Sequence, residues 1–214
     1  MHLDSLHLNK IREKIAVYGG AFDPIHFSHI EVAKYLCQRR DIHEVMIVPS
    51  SVHPFQKQLK PFHLRKALIE TAIQADPFLA RSCIRVVDVE DEIAQVDSTF
   101  KGYTYQVLSY IRAKNPDSNI SFCLGADNVE DMIAGKWDMS YELARDFSLI
   151  VAGRGGLPHT DYACYSWYDG GADFLDVSST RIRKALKTGK DHQALFLCPK
   201  AIQERVKTLY STES

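Results

Sequence analysis

The sequence is notable first for what it lacks. None of its 214 residues belongs to an apolar run approaching the ~20 residues that a bilayer-spanning helix needs, so no membrane partner is expected. Neither charge is in excess: the formal net charge is -1. That removes the electrostatic footprint of a nucleic-acid or membrane-surface protein, and no nucleic acid is expected either. The opening "MHLDSLHLNKIREK" mixes acids with its apolar residues and does not read as a secretory signal. Residues 1–14 read as a short leading helix or arm before a single domain over 15–214. Cysteine is sparse: Cys37, Cys83, Cys123, Cys164 and Cys198 are widely spaced, with no C-x-x-C. Such a set offers neither a disulfide framework nor a metal-binding pattern, and fits buried thiols in a reducing cytoplasm. The G-x-G-x-x-G dinucleotide fingerprint and the Walker G-x-x-x-x-G-K-[ST] loop are both missing, as are internal repeats and low-complexity segments.

What is present is alternation. Apolar, strand-like runs occur at 15–20, 44–49, 83–89, 119–127 and 147–153. Between them lie segments of helical period. Ile30, Ala33, Leu36 and Cys37 share one face, as do Leu64, Ala67, Leu68, Ala72 and Ala75. Thr104, Val107, Leu108 and Ile111 mark a third helix, and further helices are expected from 177 onwards, the last near 199–209. This order predicts an α/β fold: a Rossmann-like, doubly wound parallel sheet with helices on both faces. Ligands of such sheets lie beyond the carboxyl ends of the strands, near the switch in strand order. Long irregular stretches are expected near 49–61, 90–102 and 154–172. The acidic "DVEDEI" (88–93) reads as a solvated turn. The aromatic "DYACYSWYDGG" (161–171) reads as either a contact in a homo-oligomer or a tucked loop.

The first turn, "VYGGAFDPIHFSH" (17–29), carries the strongest chemistry. Gly19 and Gly20 end a strand, where glycine permits close approach and unusual dihedrals. His26 and His29 follow, three residues apart at the start of a helix, so they can face the same way. Imidazole donors beside the positive end of a helix suit a phosphate chain, and hence phosphoryl or nucleotidyl transfer. In isolation the same pair is compatible with two surface histidines, and it lacks the nearby third ligand that zinc would need.

Five later segments add candidates, and two of them, 49–58 and 122–128, follow strands and so face the same sheet edge. In "VSSTRIRKAL" (177–186), hydroxyls precede a helix that carries Arg181 and Arg183, the pattern of a capped helix start able to hold an anion. In "FCLGADN" (122–128), Asp127 follows Gly125 and can accept hydrogen bonds from a ribose or cap a helix. "PSSVHPFQKQ" (49–58) offers His53, Pro54 and Lys57 after the second strand. "KGYTYQVL" (101–108) and "GKWDMS" (135–140) offer Thr104 and the flat aromatic face of Trp137.

Together these segments carry a resemblance. "GGAFDPIHFSH" is similar to the G-G-x-F-D-P-I-H-x-G-H motif of bacterial nicotinate mononucleotide adenylyltransferases, within the H-x-G-H nucleotidyltransferase superfamily, with Ser28 in place of a glycine. "VSSTRIR" resembles the family's I-S-S-T-x-I-R, with Val177 in place of isoleucine. The resemblance implies adenylyl transfer from ATP to nicotinate mononucleotide in NAD biosynthesis, with Mg²⁺ accompanying ATP. Within the same fold, nicotinamide mononucleotide or phosphopantetheine stand as other acceptors; a non-catalytic nucleotide sensor is the reading from another class. Carried over position by position, the resemblance makes His26, His29 and Arg183 catalytic. It gives ATP the set Gly19, Gly20, Phe22, His26, His29, Gly125, Asp127, Ser179, Thr180 and Arg183. It gives the mononucleotide Lys57, Thr104 and Trp137. Gln106 stands where the family usually has an acid, and Ser28 is expected to help cap its helix.

Overall fold

The computed structural model of the chain describes residues 12–51, 59–153, 165–169 and 177–211. Six strands form one sheet: β1 (Lys14–Gly20), β2 (Glu44–Pro49), β3 (Ile84–Val86), β4 (Asn119–Gly125), β5 (Ser148–Gly153) and β6 (Tyr165–Asp169). Every pairing is parallel and the order is β3-β2-β1-β4-β5-β6. The chain builds outward from β1 to β3, then returns to lay β4 on the other side of β1. The switch in order, where such sheets bind ligands, therefore lies between β1 and β4.

Strand period explains the two cores. Ala16 and Tyr18 of β1 face one side, and Ile15 and Val17 the other. The first side is covered by α1 (Phe27–Gln38) and α2 (Phe62–Ala75). The second carries α3 (Val89–Val96), α4 (Thr104–Lys114), α5 (Val129–Ile133) and α6 (Ser140–Asp146). After β6 come α7 (Ser179–Lys187), α8 (Asp191–Leu195) and α9 (Gln203–Ser211), which pack on the first side through Ile182, Leu186, Ala194, Val206 and Tyr210. Cys123 and Cys198 lie within this core, and burial pushes both thiols up to about 12, so they behave as small apolar residues.

The sheet carries the doubly wound arrangement expected from the alternation, with local corrections. Expected strand 83–89 contracts to Ile84–Val86, an edge strand whose central Arg85 is exposed. Expected turn 88–93 instead opens α3, because Glu90, Asp91 and Glu92 complement the positive end of a helix while Val89 and Ile93 bury. The stretch 154–172 contains β6, paired with β5 from Leu149↔Tyr165 to Gly153↔Asp169. The fourth strand ends at Gly125 rather than 127, where the 3₁₀ turn Ala126–Asn128 takes over. The buried face of α2 is also rotated from the expected one, to Arg65, Leu68, Ile69, Ala72 and Ile73. Lys14 belongs to β1 rather than to a leading arm, and residues 1–11 lie outside the described residues.

Leu108, wholly buried on α4, tests the second core. Leu108→Ala is expected to cost about 2–5 kcal/mol, read as a lower denaturant midpoint at unchanged slope.

Candidate active site

The crossover from β1 to α1 is packed before it is polar. A Cβ on Gly20 would stand 3.3 Å from the Phe22 ring, and one on Gly19 would stand 3.4 Å from Phe122 of β4. Glycine is needed at the strand end for close approach. The unusual dihedral expected at the glycines falls on Phe22 instead, at φ 46°. A left-handed non-glycine residue costs roughly 1–2 kcal/mol, and packing holds it there. The Phe22 ring meets Tyr18 edge-on at 5.4 Å and His29 at 4.9 Å. Phe22 is thus buried beneath His29.

His26 and His29 come together as their spacing predicts. Their rings stack with centroids 3.7 Å apart and planes 25° apart. His26 is the N-cap of α1 and only 1% exposed, whereas His29 is half-buried. The His26 N–H donates to Nδ1 of His29 at 3.3 Å. That bond fixes the neutral tautomer, leaving the His29 proton on Nε2 as a donor. Ser28, expected as a cap, sits inside the helix at its second position, because His26 takes the cap. Two N–H groups at the helix start are already occupied. The Phe27 N–H donates to the Leu197 carbonyl at 3.1 Å, and the His29 N–H to the His26 carbonyl at 3.0 Å.

Carbonyls of the turn are claimed one after another by side chains from distant elements. Arg65 of α2, 1% exposed, donates to Ala21 O at 2.6 Å, Ser50 O at 2.5 Å and Lys60 O at 2.7 Å. Arg183 of α7 donates to Asp23 O at 2.6 Å and to Thr180 Oγ1 at 3.2 Å. The Ser179 hydroxyl donates to Pro24 O at 2.9 Å. Ser178 caps α7, accepting from the Arg181 N–H at 3.2 Å. Asp23, 2% exposed, accepts at Oδ1 from the Tyr210 hydroxyl (2.6 Å) and the Lys60 N–H (3.3 Å). Its Oδ2 lies 3.7 Å from Nη1 of Arg183. A cavity of about 550 Å³ opens beside this cluster, walled by Asp23, Lys60, Arg183, Lys187 and Tyr210.

Candidates for the second nucleotide lie on the other face of the sheet. Thr104 is the first residue of α4 and half-buried. Trp137, also half-buried, sits between α5 and α6 with its ring 6.3 Å from Phe122. Phe122 in turn lies against Gly19, so Trp137 reaches the β1–β4 switch. Gly125 ends β4, and Asp127 lies in the 3₁₀ turn after it. The Asp127 side chain is outside what the structure describes, as are His53, Pro54 and Lys57.

Sequence reasoning passed over Asp23, Arg65, Lys60 and Tyr210. Two of them left a signal. Arg65 lies on the apolar stripe of α2, where a charge has no business unless it is fully bonded. Tyr210 continues the Ile202, Val206 period of the last helix. Among the described residues, no group of three or more His, Cys, Asp or Glu side chains could hold a metal ion.

A parallel sheet whose switch point is flanked by paired histidines and a capped, arginine-bearing helix defines a Rossmann-like nucleotidyltransferase fold. The chain belongs to the cytidylyltransferase-like family, whose model matches residues 17–185. A probable nicotinate-nucleotide adenylyltransferase from Anaeromyxobacter dehalogenans is 32% identical over 183 residues, 85% of this chain and 88% of that protein. One from Bacteroides fragilis is 29% identical over 204 residues, 91% of this chain and 92% of that protein. The solved Plasmodium falciparum nicotinic acid mononucleotide adenylyltransferase complexed with NaAD superposes at TM-score 0.71, with 25% identity. That match covers 81% of this chain and 84% of the other. No helix among the described residues is long and apolar enough to cross a membrane.

Burial, and then the bond to Asp23, push the Tyr210 phenol far above its ordinary value. The fold therefore holds the protonated form. Its contribution is complete below the unfolded value of about 10 and declines as pH rises beyond it. Tyr210→Phe should destabilise the protein by about 1.5–3 kcal/mol near neutral pH. Urea unfolding at pH 8 and again above about pH 10 should find the gap between the two proteins narrowing at the higher value.

Proposed function

We propose that the protein transfers the adenylyl group of ATP to nicotinate mononucleotide, forming nicotinate adenine dinucleotide and pyrophosphate. One observation carries this reading. Ser179 and Arg183 dock on the carbonyls of Pro24 and Asp23, so the two phosphate-binding candidates from opposite ends of the chain share one surface. The names of the relatives supply the acceptor.

In this mechanism a mononucleotide phosphate oxygen attacks the α-phosphorus of ATP. The new O–P bond forms as the bond to the β-phosphate oxygen breaks, and that electron pair leaves with pyrophosphate. A phosphate monoester, with its second pKa near ~6, is already ionised at neutral pH and needs no base to activate it. Positioning and charge stabilisation are the tasks left to the protein. The Nε2–H of His29 donates to an α-phosphate oxygen, and His26, too buried to reach the departing phosphates itself, stacks behind that ring and positions it. Arg183 has five N–H donors, so its bonds to Asp23 and Thr180 leave others for the β- and γ-phosphates, beside Ser179 and Thr180. Gly19 and Gly20 give ATP a close approach, and Gly125 and Asp127 take the adenosine. Thr104, Trp137 and Lys57 take the mononucleotide. Imidazole and guanidinium donors suit phosphate oxygens rather than a hard cation, so Mg²⁺ enters as part of the ATP substrate.

The test is pyrophosphate release from ATP with nicotinate mononucleotide, nicotinamide mononucleotide and phosphopantetheine supplied in turn. Nicotinate mononucleotide should give the highest kcat/KM, and preference for either of the others would reject the acceptor named here. His29→Ala should lower kcat by about 10²–10³, the scale of one lost charge-stabilising donor, with KM for the mononucleotide changed far less. Near-native turnover in that variant would remove His29 from the mechanism.

A further inference from the structure

Asp23 meets Arg183 twice, and the two meetings differ. Its backbone carbonyl accepts from Nη1 at 2.6 Å, whereas its carboxylate stops short, with Oδ2 at 3.7 Å from the same nitrogen. A carboxylate and a guanidinium that can turn freely close to about 2.7–2.9 Å and pair through two parallel bonds. The side chain of Asp23 is 3% exposed and that of Arg183 33%, so water screens their attraction poorly. The acid is held back through its other oxygen. Oδ1 accepts from the Tyr210 hydroxyl at 2.6 Å and from the Lys60 N–H at 3.3 Å, and two donors on one oxygen set the torsion of the carboxyl group.

Tyr210 supplies the shorter of those two bonds. It lies one residue from the end of α9, 2% exposed, with its ring in the core that also takes Ile182 and Leu186 of α7. Burial and the bond to Asp23 keep the phenol protonated, so it stays a donor at neutral pH. With the carboxylate restrained, the guanidinium is oriented instead by two uncharged oxygens, Asp23 O and Thr180 Oγ1, at the start of α7. We infer that Tyr210 is a positioning residue for the triphosphate: by holding the Asp23 carboxylate at Oδ1, it keeps that acid from drawing Arg183 away from the helix start. That the ligand of Arg183 is the β- and γ-phosphates rests on the adenylyl-transfer reading above. Without the hydroxyl, the carboxylate turns, pairs with Arg183 at hydrogen-bond distance and competes with phosphate for it.

Tyr210→Phe keeps the ring and its packing and removes only the hydroxyl. The experiment titrates a non-cleavable α,β-methylene analogue of ATP, and separately AMP, into the full chain by calorimetry. AMP lacks the β- and γ-phosphates and serves as the reference. Tyr210→Phe should weaken the analogue about fivefold or more, the scale of one hydrogen bond, and leave AMP affinity unchanged. A purely structural role would weaken both ligands alike, and that result would overturn the proposal. The route through Asp23 and Arg183 is read from double variants. In an Arg183→Gln background, and again in an Asp23→Asn background where no carboxylate remains to turn, Tyr210→Phe should no longer change the ratio of the two affinities. A full effect of Tyr210→Phe in either background, or no effect in the wild type, would overturn the proposal as well. The coupled loss in a protein that makes no dinucleotide from any mononucleotide would uphold the role of Tyr210 and reject the adenylyl-transfer reading. Dinucleotide formation with Tyr210→Phe binding the analogue like the wild type would do the reverse.

Discussion

The structure depends on how the carbonyl groups of one short turn are held. Between β1 and α1 the backbone leaves sheet hydrogen bonding and has not yet entered helical bonding, so its oxygens need partners. Arg65 serves Ala21, Arg183 serves Asp23 and Ser179 serves Pro24. Each donor comes from a helix packed on the same face of the sheet. The Arg65 guanidinium also binds Ser50 and Lys60, which ties the ends of β1 and β2 to the start of α2. A buried arginine is costly when its donors are unmatched. Here desolvation depresses its basicity, and the carboxylates of Asp23, Glu90 and Asp91 oppose that effect.

From that turn the division of labour across the sheet follows. Helices α1 and α7 lie on one face with the histidines and Arg183, while α4 and Trp137 lie on the other. The glycines at the end of β1 lie between them, thin enough for Phe22 and Phe122 to close on either side. The two sets of candidate side chains therefore flank the β1–β4 switch from opposite faces of the sheet.

Much of this was legible in the sequence, and the exceptions have physical causes. The alternation of strand and helix gave the doubly wound sheet, and the three-residue spacing of His26 and His29 gave two rings able to face the same way, though not their stacking. Strand β6 was hidden in an aromatic segment read as an oligomer contact or a tucked loop, because five residues carry little periodic signal. Helix α3 was hidden by its acids, which look solvated in a string and become stabilising at a helix start. The deepest omissions were Asp23, Arg65 and Tyr210. Their importance lies in partners far away along the chain, and no local pattern displays such a partner. The start of α1 shows the same limit, since the Leu197 carbonyl that accepts from its Phe27 N–H is 170 residues distant.

The Tyr210–Asp23 bond spans 187 positions of sequence. During translation, at roughly 5–20 residues per second, about 10–40 s pass between the emergence of one partner and the other. Through that interval the nascent chain carries a first turn whose Asp23 and Pro24 carbonyls have no donor from α7, and whose acid has no phenol. The turn is thus held in its final form only after the whole of the intervening chain, with every strand of the sheet, has been made.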